Sequence, residues 1–324
     1  MRFLILFAAW LVAGAAVAQS SVLKVTTLDR ENDVLSEPLI WWMKTIAERT
    51  SNRVTFQPFW SQSLVPVTRT MSAVKSGVAD AGYFVSTLLS SEERDFFPLE
   101  LDGALPTDER YVEVWRAIEP SIDKILERNG VVMMYPRRSP KSTIACKSKH
   151  LTQASDYKGM KIRAAGRWEI AGITRWGAAA FPIPPAETYT ALQRGTVDCT
   201  YHIYPILWAF KLYEVAPYVT RLDSSASFNF IGMNRDKWNQ LSEADRNTIR
   251  EVSAQAMRRE MDALKLREDT IIADMEKAGV KFHVPSAAEH KRLHDAVRPL
   301  WQEVRKAVGP EGVKLADILE PMQK

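Results

Sequence analysis

At 324 residues, with 46% hydrophobic and 25% charged side chains, the chain is too long for one core and too apolar for disorder, so two globular domains are expected. Its 43 basic and 39 acidic residues give a formal net charge of +4, too mild and too evenly interspersed for a nucleic-acid partner.

The first residues read as a secretory signal. Met1-Arg2 supplies a positive start, residues 3–12 are almost wholly apolar, and Ala16-Val17-Ala18 offers an A-x-A cleavage site. Residues 1–18 are therefore expected to be removed, leaving a mature start near Gln19. The apolar run is short for a membrane span, and no second long one follows.

Strand and helix patterns then alternate. Residues 22–27 are rich in β-formers, 38–48 have helical apolar spacing, and 53–59 alternate like a strand. Residues 68–75 look helical, stop at Gly77, and lead into a strand over 79–85. Such alternation implies parallel sheets flanked by helices. A second series opens after Gly130 with strands at 131–135, 142–146 and 161–163, then a helix over 169–176 ended by Gly177. Phe181-Pro182-Ile183-Pro184-Pro185 must be extended, because each proline fixes its own backbone and biases its predecessor away from helix. A short helix over 187–194 closes at Gly195 and a strand follows at 197–203.

Residues 242–278 carry the pattern of one long helix, with Ser242 as N-cap, Asp245 three residues on, and Gly279 as the stop. Ile249, Val252, Ala256, Leu264, Ile271 and Met275 recur at roughly helical spacing. At 1.5 Å per residue it extends about 54 Å, longer than one such domain is wide, so it should serve both. A pair of helices broken near Leu266 is the alternative.

Cys146 and Cys199 would share an oxidising compartment, which favours pairing, although sequence alone leaves both the bridge and two free thiols open. A zinc reading of the pair is poor, since neither has a second Cys at ligand spacing. His290 and His294 share one helical face near His283, but the surrounding charges indicate a solvated helix and no third ligand is evident. No metal or other cofactor is expected. Signatures of hydrolases, zinc proteases and phosphate loops are missing, so an enzyme acting on a small carboxylate is the weaker reading. A ligand sensor partnering a membrane receptor is another alternative.

One set of motifs is specific. Asp156-Tyr157-Lys158-Gly159-Met160-Lys161-Ile162-Arg163 is followed by Trp176-Gly177-Ala178 and then by Glu187-Thr188-Tyr189-Thr190-Ala191-Leu192-Gln193-Arg194-Gly195-Thr196-Val197-Asp198. Weaker echoes are Ala73-Val74-Lys75-Ser76-Gly77-Val78-Ala79-Asp80 and Met233-Asn234-Arg235-Asp236-Lys237-Trp238. In this order they resemble the solute-binding proteins of tripartite ATP-independent periplasmic (TRAP) transporters, of the C4-dicarboxylate-binding type. The resemblance implies an α/β, two-domain periplasmic-binding-protein fold with a ligand cleft between the domains and a long domain-spanning helix. It divides the chain into 19–141 plus 228–267 and 142–227 plus 268–324. It also implies a periplasmic monomer that closes on a small organic acid and delivers it to a sodium-coupled membrane permease.

In that family the arginine matching Arg163 holds the ligand carboxylate, a role that suits a planar, permanently charged guanidinium. His202 and Cys199 depart from the Asn and Gly often found there; a partly charged His202 would make capture pH-dependent. Tyr83, Phe84, Val85 and Leu88 stand where relatives with sugar-like ligands carry charged groups, which implies one acid end and a short or apolar remainder. Trp60, Tyr201, Tyr204, Trp208 and Asn229 complete the candidate cleft, and Arg138, Lys141 and Arg167 are the other cations that could hold the acid.

Overall fold

The structure is a computed structural model that describes residues 21–89, 92–106, 110–225 and 227–323; the expected signal segment lies outside these residues. Eleven strands occur among them: β1 Ser21–Thr26, β2 Val54–Phe59, β3 Ala81–Val85, β4 Val131–Arg138, β5 Lys141–Cys146, β6 Lys161–Ala164, β7 Ala179–Pro182, β8 Cys199–Ile203, β9 Tyr218–Ser225, β10 Phe228–Asn234 and β11 Lys281–His283. They form two sheets, ordered β2-β1-β3-β10-β4 and β11-β9-β5-β8-β6-β7.

The sheets are mixed, not parallel throughout. β1 runs parallel to β2 and β3, and β6 parallel to β7 and β8, as βα alternation requires. β10 is antiparallel to β3 and β4, and β5 is antiparallel to β8 and β9. The cause is a double crossover: β4 continues through Ser139 and Pro140 into β5, while β9 returns into β10, so each pair passes from one sheet to the other. Phe228 pairs with Arg138 and Ser225 with Lys141 on either side of the crossing.

The long helix is a single element, Glu243–Lys277, of 35 residues, with no break at Leu266. The Ser242 hydroxyl accepts the Asp245 amide at 3.1 Å, and Arg53 holds the Asp245 carboxylate at 2.7 Å. Past its other end Gly279 takes φ +88°, which a residue with a Cβ would resist. Ile249, Val252 and Ala256 enter a core with Trp42, Ile46 and Ile231 of the first sheet's lobe. Ile271 and Met275 enter another with Leu192 and Val219 of the second. One helix therefore serves both lobes. Ser242→Ala should lower stability by about 1 kcal/mol, or about 2–4 °C in denaturation midpoint. A midpoint within half a degree of the parent, read by circular dichroism, would contradict that role for the cap.

Between its two ends the helix grips the crossing strands. Glu268 accepts from Arg138 at 2.8 Å and from the Lys141 amide, with both charged side chains buried. A third core continues beneath the crossing, from Phe84 and Phe230 through Trp115 and Phe228 to Ile144 and Trp176. The C-terminal helix Pro310–Met322 packs against helix Tyr111–Arg128. Cys146 and Cys199 face each other across β5 and β8 with Cα atoms 4.1 Å apart and are joined by a disulfide; no free cysteine occurs among the described residues.

Candidate functional site

A cavity of about 460 Å³ opens between the sheets, lined by residues from β3, β4, β6, β8 and the long helix. Its walls are mostly apolar, with Leu28, Leu35, Val85 and Leu88 on one side and Pro205 and Ile206 on the other. Three arginines face it: Arg137, Arg138 and Arg163.

Arg163 is 2% exposed. Its Nε donates to the Ile183 carbonyl at 2.8 Å and its Nη1 to the Tyr201 carbonyl at 3.1 Å. The first acceptor exists because Pro182 and Pro184 keep Ile183 extended and deny neighbouring strands their amides. No carboxylate lies within ion-pairing distance of Arg163 among the described residues. Burial pulls its pKa down and nearby Glu169 partly offsets this, while Glu169 itself is tied to the Ala165 amide. The result is a desolvated guanidinium whose charge the protein leaves largely uncompensated, a ready partner for an anion.

The other two arginines differ. Arg138 pairs with Glu268 through Nη2, while its Nη1 is buried without a hydrogen-bond partner. Arg137 donates to Asp29 at 2.7 Å, to Glu260 at 2.7 Å and to the Leu35 carbonyl at 2.9 Å, and lies 4.2 Å over the Tyr83 ring. Neither Arg137 nor its acidic partners stand out in the sequence, because the three come from β4, the loop after β1 and the long helix.

His202 also faces the cavity, and its Nε2 is buried without a partner. Burial first, and Arg163 second, hold its pKa well below the usual imidazole range. The imidazole is therefore neutral at physiological pH. The partly charged form considered from sequence is not favoured here, and His202 offers a neutral hydrogen-bonding edge instead.

The remaining candidates divide. Tyr83 and Val85 line the cavity while Phe84, between them on β3, faces the other way and stacks on Phe230 at 4.6 Å. Strand alternation puts it in the core, which corrects its assignment to the cleft. Asn229 lines the cavity and accepts from the Ser227 hydroxyl at 3.1 Å. Tyr201 touches the cavity, but its hydroxyl bonds Asp102 and, at 2.8 Å, Ser142. Its nearest contribution to the site is the carbonyl that holds Arg163.

Trp60, Tyr204 and Trp208 are not among the lining residues. Trp60 packs at the edge of the first core, the Tyr204 hydroxyl bonds Asp223 at 2.8 Å, and Trp208 stacks on Tyr213 at 5.2 Å. Arg167 lies over the Trp168 ring, and neither it nor Lys141 reaches the cavity. Among the described residues there is no group of three His, Cys, Asp or Glu placed to hold a metal ion.

The model of the bacterial extracellular solute-binding proteins, family 7 (DctP), matches residues 27–307. The chain belongs to this family. It is a solute-binding protein and not an enzyme. A solute-binding protein of Albidiferax ferrireducens is 23% identical over 299 residues, 89% of this chain and 88% of that one. A TRAP periplasmic solute-binding protein from Ochrobactrum anthropi, solved with its C-terminus in the ligand pocket, superposes with a TM-score of 0.87 at 20% identity, covering 94% of this chain and 96% of that chain. A Bordetella pertussis extracytoplasmic solute receptor binding pyroglutamic acid superposes with a TM-score of 0.81 at 18% identity, covering 93% of this chain and all of that one. At these identities the solved structures establish the two-lobed fold. Among the described residues no helix is long and apolar enough to cross a membrane.

Proposed function

We propose that this solute-binding protein captures a small organic acid in the periplasm, with Arg163 clamping its carboxylate, and hands it to a TRAP-type permease in the inner membrane. The observation that carries the reading is the contrast among the three arginines facing the cavity: Arg137 and Arg138 are paired with buried carboxylates, whereas Arg163 is held only by backbone carbonyls. One cation without an ion-pair partner suits one carboxylate, and the apolar walls suit a compact remainder. His202, Asn229 and Tyr83 line the same space and complete the contact set. The pyroglutamic acid bound by the Bordetella pertussis receptor is an acid of this kind.

In this reading residues 1–18 direct export and the mature chain acts as a monomer. One lobe comprises 19–141 plus 228–267, the other 142–227 plus 268–324, and they close about the crossing strands to exclude water from the arginine–carboxylate pair. The closed form is what docks on the permease, whose transport is sodium-coupled.

Thermal denaturation against a panel of monocarboxylates, oxo acids, dicarboxylates and aromatic acids tests the reading. A true ligand at a hundred times its Kd adds about 2.7 kcal/mol, and the acid should be recovered unchanged. A panel in which no carboxylate moves the midpoint would sink the proposal.

A further inference from the structure

The cavity wall formed by the long helix carries a carboxylate oxygen that neither the fold nor the carboxylate clamp uses. Glu260, on the long helix, is 3% exposed and lines the cavity. One of its oxygens, Oε1, accepts from Arg137 at 2.7 Å, while Oε2 is buried with no hydrogen-bond partner. Arg137 does not need Glu260 for neutrality, because Asp29 already accepts from its Nη1. Two carboxylates thus share one guanidinium, so Glu260 in its ionised form is one acidic charge in excess. Burial pushes the Glu260 carboxyl up to about 7, with Arg137 opposing and Asp29 adding to the rise. A buried counterion on a cavity wall with one of its two oxygens unsatisfied is an incomplete site.

We propose that Glu260 determines specificity by accepting a hydrogen bond from the ligand, so that the captured acid carries a hydroxyl or ammonium donor at the end away from its carboxylate. The inference rests on the carboxylate reading above and refines it. Arg163 belongs to the second sheet, and Glu260 meets Arg137 of the first, so such a ligand would be held at both ends by opposite walls. An acid ending in a methyl group would satisfy Arg163 and leave Oε2 unpaired in the closed state.

The test is calorimetry on the full mature chain with isosteric acids: valerate, γ-hydroxybutyrate and γ-aminobutyrate as one set, para-toluate and para-hydroxybenzoate as another, and levulinate as an acid ending in an acceptor. In whichever set fits the cavity, a donor-ended acid should bind about ten- to a hundredfold more tightly than its methyl-ended isostere. Glu260→Met, which keeps volume and leaves Arg137 its Asp29 partner, should reduce that advantage to within threefold. Glu260→Gln keeps an acceptor without the charge, and should retain preference for hydroxyl over methyl while losing preference for ammonium. It serves if the Met variant does not fold. Equal binding of methyl- and donor-ended acids, tightest binding of levulinate, or a donor preference that survives Glu260→Met would each overturn the proposal and leave the carboxylate clamp standing. Binding of none of these acids, or binding unaffected by Arg163→Ala, would instead overturn the underlying reading and this proposal with it.

Discussion

Arg163→Ala should weaken binding of the captured acid by about 30-fold to several thousand-fold, since removing one partner of a desolvated charge pair typically costs about 2–5 kcal/mol or more. The loss falls on the bound state, where the carboxylate would sit dry against an absent guanidinium. Without ligand the substitution frees the Ile183 and Tyr201 carbonyls and takes a cation from near Glu169, and Tyr201 and Glu169 line a cavity that water can enter, so the unliganded midpoint should move far less. Arg163→Lys restores a charge but not the planar two-pronged geometry, and should recover part of the affinity. Calorimetry on the three proteins with one identified acid decides the matter. If the alanine variant binds within threefold of the parent while folded, the carboxylate is held elsewhere. Arg138, whose Nη1 has no hydrogen-bond partner, is then the next cation to test.

Loss of the disulfide should have the next largest effect. The bridge joins positions separated by 53 residues, and closing a loop of that length in the unfolded chain contributes about 4 kcal/mol in the chain-entropy model. A Cys146→Ala/Cys199→Ala variant should therefore unfold at markedly lower denaturant concentration. Unfolding the unreduced parent in the presence of a thiol reagent should release no sulfhydryl. Two titratable thiols per chain in that experiment would refute the bridge. Both cysteines are buried at the ends of strands that also carry Ser142, Tyr201 and His202, so the substitution should loosen the second lobe's wall more than the first's.

Much of the fold was legible because its signals are local. The long helix announces both ends, through Ser242 with Asp245 and through Gly279, and its apolar positions recur along its length. The strands at 22–27, 53–59 and 142–146 appear within a residue or two of where β-formers cluster. Helix Tyr111–Arg128 is harder to read, since Pro120 sits inside it and argues locally against any helix. The antiparallel members of each sheet were also hidden. Whether a strand crosses to a second sheet depends on partners far along the chain, such as Phe228 beside Arg138.

The site divides along the same line. Arg163, which lines the cavity, was singled out by an ordered motif set, whereas composition alone would make it an ordinary surface arginine. Phe84 was misplaced although the signal lay in the sequence: Tyr83 and Val85 cannot both face the cleft on a strand unless Phe84 turns away. Trp60, Tyr204 and Trp208 were named for residue type, and an aromatic ring is as useful to a core as to a ligand. The charge pairs of Arg137 and Arg138 had no local signal at all. Their partners Asp29, Glu260 and Glu268 are brought to them only by the folded arrangement of β1, β4 and the long helix.

That helix also fixes where the sequence can change length during descent. Glu260, Leu264 and Glu268 recur every fourth residue and face, in turn, Arg137, the cavity and the crossing strands. Each residue added to or removed from a helix rotates everything beyond it by about 100°. A one-residue insertion between Ala256 and Glu260 would swing Glu268 off Arg138 and turn Ile271 and Met275 out of the second core, while leaving the first core intact. The helix thus acts as a ruler shared by two surfaces. Insertions and deletions among descendants of this chain should collect in the surface loops and avoid the span between Ile249 and Met275.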